Sequence, residues 1–299
     1  RDASTFEIIG QLGEELPGVL SVRAEGNVPS EQQQYSALSK GELSQRIKDR
    51  DQQKPLLTSN EQSSMSLPGA QDKLGLRYDA KRDRLYDSVG STPTTHIAKP
   101  DTRLVKFQPS AINEYLCLCA ARRCGLHVPE IQLSADGNVL AVRRFDRMAD
   151  GGVLAVEDFC SLQGLGAESK YAGSLENIAA RLKDYLPPEQ FHENAIRLFK
   201  LLLLNYAIHN ADAHLKNFAL IYTAPDDVVL APVYGPPFIR TLEGGRRYAT
   251  IADFRDTLIS RHVALALALF FLSQFGQLFL QAFPLFLVAF DSLRQLEHF

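Results

Sequence analysis

The sequence predicts an α+β fold in two lobes, a strand-rich first half holding one inserted helix and a helical second half, and three observations predict it. Up to about residue 156 the chain alternates apolar and polar side chains in short runs broken by turn residues, as in "KLGLRY" (73–78), "THIAKP" (95–100) and "EIQLSADGNVLAVRRFDR" (130–147). From residue 160 onward, stretches such as "SLENIAARLKDYL" (174–186) and "ENAIRLFKLLLLNYAIHN" (193–210) carry helical spacing. At 299 residues and 45% hydrophobic content, the chain can bury a sizeable core.

Taken in order, "STFEIIGQLGEELPGVLSV" (4–22) reads as a short helix and then a strand, and "LSKGELSQRIKDRDQQ" (38–53) as a capped, highly charged helix. A Ser-rich loop with a Pro-Gly break, "SSMSLPGAQDK" (63–73), leads into a hairpin formed by "KLGLRY" and "RLYD". "THIAKP" adds a strand ending in Lys99. "SAINEYLCLCAARRCGL" (110–126) is the inserted helix, closed by Gly125, and the turn "ADGN" (135–138) joins the next strand pair. "LAVEDFC" (154–160) marks the change to helical pattern. Beyond the two long helices, "FALIY" (218–222) is a strand and "TAPDDVV" (223–229) contains a hairpin turn.

Composition narrows the function classes. A formal net charge of −3 without a long basic run gives no phosphate-neutralising surface, so direct nucleic-acid binding is not indicated. The four cysteines include no CxxC pair, and Cys117, Cys119 and Cys124 sit on one helix as small apolar residues. Reduced thiols and the lack of a signal peptide point to the cytoplasm. The uncharged run 263–290 is long enough to cross a bilayer, but Gln274, Gln277, Gln281, Gly276 and Pro284 interrupt it, so it reads as buried helices of the second lobe.

The chemistry concentrates in "HNADAHLKN" (209–217). His209 and His214 are five apart, not the four that places two imidazoles on one ion, which argues against zinc. Asp212 and Asn217 have the separation of a protein-kinase catalytic loop, in which a carboxylate accepts the substrate hydroxyl proton and an Asn five residues later holds magnesium. Lys216 lies between them and would neutralise a phosphoryl oxygen. The other parts follow in kinase order: a loop before a hairpin, Lys99 at a strand end, Glu114 on the next helix to orient that lysine, and "VEDFC" where strands give way to helices.

Together, "SMSLPGAQDKLGLRY", "THIAKP", "NEYLCLCAARRCGLHVPE", "VRRFDR", "VEDFC" and "NADAHLKNFAL" resemble the blocks of the HipA-type toxin serine/threonine kinases of bacterial toxin–antitoxin modules, over roughly residues 5 to 234. The resemblance implies a two-lobed protein-kinase-like fold with an N-lobe over 1–156, a hinge at 157–159 and a C-lobe over 160–299. It implies ATP and magnesium as cofactors, with Asp212 as catalytic base and Asn217 as metal ligand. Nucleotide contacts would come from Ser66, Gly69, Gln71, Lys73, Lys99, His214 and Lys216, with Glu157 and Phe159 at the adenine. Ser64 and Ser66 resemble the family's autophosphorylation sites. The implied substrate is a serine of a protein, of the aminoacyl-tRNA synthetase class, and the implied partner is a DNA-binding helix-turn-helix antitoxin. Full-length members also carry a small N-terminal subdomain, whereas "FEIIGQLGEELPG" comes almost at once here, so either the sequence is trimmed or this is a short version whose missing subdomain is a separate small protein that can act as a partner.

One family feature is missing. A Tyr-Asp pair, equivalent to the D-F-G aspartate that bridges magnesium to phosphate, should follow the last hairpin, and this chain has Tyr234-Gly235 followed by two prolines. Two rival readings therefore stand beside the kinase: a pseudokinase that binds nucleotide or antitoxin without transfer, and a metal-dependent hydrolase using His209, Asp212 and His214. The lost Asp and the uncharged tail together suggest a frameshifted or otherwise altered C-terminus.

Overall fold

Register, set by which side chains each short strand must bury, builds a six-stranded antiparallel sheet in a computed structural model of the chain, with strand order β1-β3-β2-β4-β6-β5. The structure describes residues 16, 18–23, 25–26, 33–49, 72–89, 92–103, 108–173, 175–208, 210, 212–224 and 226–235. The strands are β1 (Tyr35–Leu38), β2 (Leu74–Asp79), β3 (Arg84–Ser88), β4 (His96–Pro100), β5 (Ile131–Leu133) and β6 (Val139–Arg143). Leu74, Leu76 and Ala98 are buried at the centre, with Leu43, Tyr78, Leu85 and Val139 packed around them. Leu43 comes from helix α1 (Lys40–Asp49), whose start is a capping box: Ser39 N–H donates to Glu42 Oε2 at 2.7 Å, and Glu42 N–H to Ser39 Oγ at 3.1 Å. Arg46 of α1 then grips buried Asp87 with both guanidinium nitrogens, at 2.9 and 2.6 Å.

The described residues fall into two compact units. One combines residues up to Tyr115 with Pro129–Val156, and the other combines Leu116–Val128 with residues from Glu157 onward. The sequence divides the chain at 156 alone; residues 116–128, expected in the first lobe, group instead with the second unit. Their segment is the latter part of helix α2 (Ser110–Arg123), whose buried Cys117, Leu118 and Ala121 are core residues.

The second unit contains α3 (Leu175–Tyr185), α4 (Pro188–Ala207) and a three-stranded sheet ordered β7 (Ala155–Asp158), β8 (Ala219–Ala224), β9 (Asp227–Leu230). Helix α4 begins five residues earlier than the 193 expected, because Pro188 occupies a first-turn position where its missing N–H costs nothing. Leu198, Phe199 and Leu201 to Leu204 are all buried, so this helix is apolar around most of its circumference. Buried Asn194 fastens it to β9 by accepting Leu230 N–H at 2.8 Å, while Arg197 donates to Leu230 C=O at 2.8 Å. Among the described residues, no helix is long and apolar enough to cross a membrane, and the uncharged run 263–290 lies outside them.

Two local expectations change. No strand forms over Gly18–Val22. Gly18 has φ +72, a left-handed conformation suited to glycine, and its N–H donates to Asp146 Oδ2 at 3.0 Å. A Cβ there would also stand only 3.2 Å from the Val156 amide nitrogen. Conversely, β1 was not expected and pairs with β3 from Tyr35↔Ser88 to Leu38↔Leu85.

Asp146 is the polar centre of the first unit. It is buried, takes Arg144 at 2.9 and 2.7 Å and Arg147 at 2.9 Å, and these arginines are themselves buried. Arg144 also reaches Thr94 Oγ1 at 3.0 Å, and Arg147 reaches Gly18 C=O and Leu16 C=O at 3.2 Å each. Burial alone would raise the Asp146 pKa, yet the two guanidiniums and the Gly18 N–H bring it below the ordinary aspartate value. Asp146→Ala leaves two buried cations without their counter-charge, and a loss of about 3–5 kcal/mol is expected in urea denaturation; an unchanged midpoint would refute the network's role.

His96 provides a pH test. Burial, with the charge of Arg143 adding to it, holds its pKa down to about 4. Its ring lies edge-on to Tyr78 at 5.6 Å, and Nδ1 is 2.8 Å from Thr95 Oγ1. Above about pH 6.5 the imidazole is neutral folded or unfolded; as pH falls toward 4 the unfolded chain takes up the proton first, so stability declines by roughly 2–3 kcal/mol across that window. Urea midpoints at pH 7 and 4.5 should show a smaller drop in His96→Phe than in the native sequence, and equal drops would contradict the assignment.

Candidate active site

A buried ammonium needs a counter-charge, and the first unit provides one for Lys99. Its side chain emerges from β4, where the pairing Lys99↔Leu140 fixes its register, and it is 4% exposed. Glu114, 2% exposed, receives it at 2.5 Å between Nζ and Oε1. The end of β4 also secures the start of α2: Asp101 Oδ1 accepts Ala111 N–H at 2.8 Å, and Ser110 Oγ accepts Thr102 N–H at 2.9 Å. Glu114 then follows one turn from Ala111, so the strand that carries the lysine anchors the helix that carries its partner. Glu114 Oε2 is buried with no hydrogen-bond partner among the described residues. Lys73 immediately precedes β2, and Ser64, Ser66, Gly69, Gln71 and His209 lie outside the described residues.

In the second unit, the catalytic-loop candidate is folded by its own polar side chains. Past α4, Asn210 N–H donates to Asn205 C=O at 2.8 Å, and Asn210 Oδ1 accepts Asp212 N–H at 3.0 Å. Asp212 C=O in turn accepts His214 N–H at 2.8 Å, after which residues Leu215–Asn217 make a single 3-10 turn into β8. Asn217 folds back so that its amide donates to Asp212 C=O, which closes the loop between the two residues of the kinase spacing. The Asp212 carboxylate is partly exposed, with His214 Nε2 3.8 Å from Oδ1. Burial keeps the His214 pKa below its usual value despite the pull of Asp212, so the imidazole is neutral at physiological pH.

Lys216 does not stand alone in this loop: its ammonium is 3.0 Å from Asp158 Oδ2. Asp158 ends β7, and its other oxygen accepts Cys160 N–H and Ser161 N–H at 2.9 Å each. Half-buried Tyr234 donates to Lys216 C=O at 2.9 Å, and desolvation of its hydroxyl together with the nearby Asp158 charge raises its pKa. Phe159 is fully buried and its N–H is committed to Phe218 C=O at 3.0 Å, so that N–H is not available to an adenine ring. Glu157 accepts Tyr222 Oη at 3.3 Å, and burial plus the Glu157 charge push that phenol up to about 12.

Sequence reasoning missed Asp158 and Tyr171. Tyr171 Oη donates to Asp212 Oδ1 at 2.5 Å, and its ring lies edge-on to His214 at 5.2 Å. Neither residue belongs to a recognisable spacing; the pairing of β7 with β8 and the contact of the 167–173 segment with the loop bring them in.

Gly235 lies against Asn217. A Cβ at Gly235 would stand 2.5 Å from Asn217 Cγ, 2.6 Å from Oδ1 and 2.7 Å from Cβ. The expected aspartate is therefore not simply absent: Asn217 fills its space, and any side chain at 235 must push Asn217 aside. Asn217 Oδ1 is the kind of hard oxygen that suits magnesium, which keeps several waters and phosphate oxygens among its ligands. One amide oxygen without the second carboxylate is a partial fit. Gly235→Ala is expected to cost about 1–3 kcal/mol in thermal or urea denaturation by displacing Asn217; no loss would show that the two residues do not approach so closely.

Comparison with known proteins gives a consistent picture. Residues 65–250 match the family model for the HipA-like C-terminal domain. The chain is 32% identical over 257 residues, 78% of its length, to the provisional kinase Y4mE of Sinorhizobium fredii, and 27% identical over 247 residues to the provisional kinase Y4dM of the same organism. It spans about half the length of these curated relatives, 57% and 54% respectively. The solved complex of the Shewanella oneidensis MR-1 toxin–antitoxin proteins HipA and HipB with operator DNA contains a chain of the same fold, with TM-score 0.60 at 19% identity over 98% of this chain and 78% of that one.

Proposed function

We propose that this chain, which belongs to the HipA-like C-terminal domain family, is a toxin kinase that transfers the γ-phosphate of ATP to a serine hydroxyl of a protein. The observation that carries the reading is the Lys99–Glu114 pair. A fully buried ion pair is a poor way to stabilise a fold, because desolvation offsets its Coulombic gain, but it is the standard way to hold an ammonium for nucleotide phosphates. Asp212 accepts the serine proton as the oxygen attacks the γ-phosphorus, and ADP departs with the electrons of the broken bond. In this reading Lys99 would offset charge on the phosphates and Glu157 would contact the adenine. Magnesium, when bound through Asn217, supplies charge neutralisation along the triphosphate.

The reading extends to Ser64 and Ser66 as autophosphorylation sites, where added charge would expel the loop from beside a triphosphate. The proposed protein substrate is of the aminoacyl-tRNA synthetase class, the proposed partner is a DNA-binding helix-turn-helix antitoxin, and the proposed compartment is the cytoplasm.

Gly235 favours a second reading, a pseudokinase that binds ATP without transfer, because the residue that would complete the metal site is replaced by the approach of Asn217. Radiolabelled γ-phosphate of ATP separates the two. The kinase predicts label on protein that falls roughly 10²- to 10⁴-fold in Asp212→Asn with unchanged circular dichroism. Saturable ATP binding in calorimetry with no label on the native chain would instead establish the pseudokinase.

A further inference from the structure

Tyr171 makes a contact that the kinase reading does not require. Its side chain is 62% exposed, yet its hydroxyl is 2.5 Å from the carboxylate proposed as general base. A tyrosine retained for packing would bury its ring; this one leaves its ring largely in water and points its hydroxyl at Asp212. The catalytic loop itself fixes the segment on both sides of the residue. Lys170 C=O accepts Leu215 N–H at 3.0 Å, and a Cβ at Gly173 would be 2.5 to 2.7 Å from three atoms of the Leu215 side chain. The phenol is thus delivered to the base by a docked segment, not by a chance rotamer. A hydroxyl donating to the general base at this distance has the arrangement of a phosphoryl acceptor, and being in the same molecule it has a high effective concentration.

We infer that Tyr171 is itself a phosphoryl acceptor, modified in cis by the site that contains Asp212; this rests on the kinase reading above. Tyr171 Oη forms a bond to the γ-phosphorus of ATP, the bond from that phosphorus to the β–γ bridging oxygen breaks with its electrons leaving on ADP, and the phenol proton passes to the Asp212 carboxylate. The hydrogen bond to Asp212 raises the phenol pKa to about 12, so the proton stays on Tyr171 until the base removes it during transfer. The product carries close to two negative charges, which cannot remain beside the Asp212 carboxylate. Modification therefore frees the base for a foreign hydroxyl, and the Lys170 ammonium, 4.9 Å from the ring, is at hand to receive the displaced phosphate.

The test uses the 299-residue chain with magnesium and radiolabelled ATP, followed by peptide mapping in a mass spectrometer. Phosphotyrosine at 171 is expected, at a fractional rate that does not change over a tenfold range of protein concentration. It should disappear in Tyr171→Phe and in Asp212→Asn, and on the native chain in the presence of excess non-hydrolysable ATP analogue, which serves should Asp212→Asn fail to fold. Phosphate found on serines or on an added protein while Tyr171 stays unmodified overturns the inference and leaves the kinase reading intact. A rate that rises with protein concentration overturns modification in cis. No label on any protein, with ATP bound, overturns both.

Discussion

The buried pair between Lys99 and Glu114 is the constraint on which the first unit's design depends. Neither group tolerates the interior alone, so strand and helix must be placed together to within a hydrogen bond. The Asp101 and Ser110 contacts at the junction of β4 and α2 meet that requirement, and the antiparallel register of β4 between β2 and β6 fixes where the ammonium emerges. A one-residue slip of β4 would turn Lys99 to the opposite face and strand Glu114 without its cation. The register of the sheet and the electrostatics of the site are in this sense a single problem, and the Asp146 cluster solves a similar one with two arginines about one carboxylate.

Elements whose local chemistry decides their form were legible in the sequence. The Ser39–Glu42 capping box, the closure of α2 at Gly125 with φ +72 and the "ADGN" turn with Gly137 at φ +75 all rest on residues within a few positions of one another. What escaped was decided at a distance. Strand β1 is four residues with no clear alternation, and it exists because β3 offers it an edge. The apparent strand at Gly18–Val22 is overridden because Asp146 and Arg147 claim its backbone groups. The same division holds in the site: the Asp212 to Asn217 spacing and the pairing of Lys99 with Glu114 could be named in advance, whereas Asp158 and Tyr171 could not, since their partners are 58 and 41 residues away in the chain.

The catalytic-loop candidate shows how few interactions are needed to aim a carboxylate. Asn210 supports the Asp212 amide from one side, and Asn217 closes on its carbonyl from the other, so both peptide groups of Asp212 are spoken for before any substrate arrives. Such preorganisation is what a general base requires. Asn217 braces the loop from within, and glycine at 235 leaves it the room it occupies.

The division of helix α2 between the two units bears on how the chain is assembled during synthesis. Residues 116–128 belong to a body whose remaining members, from 157 onward, are translated later, and the Val233 N–H that bonds His127 C=O at 2.8 Å emerges more than a hundred residues after its acceptor. The first body can gather its sheet as soon as β6 leaves the ribosome, but the end of α2 must wait for its neighbours with Cys117, Leu118 and Ala121 uncovered. Neither unit is a continuous stretch of chain. A nascent protein halted near residue 156 would thus hold a nearly finished sheet beside an unsatisfied apolar segment, a natural target for chaperone binding.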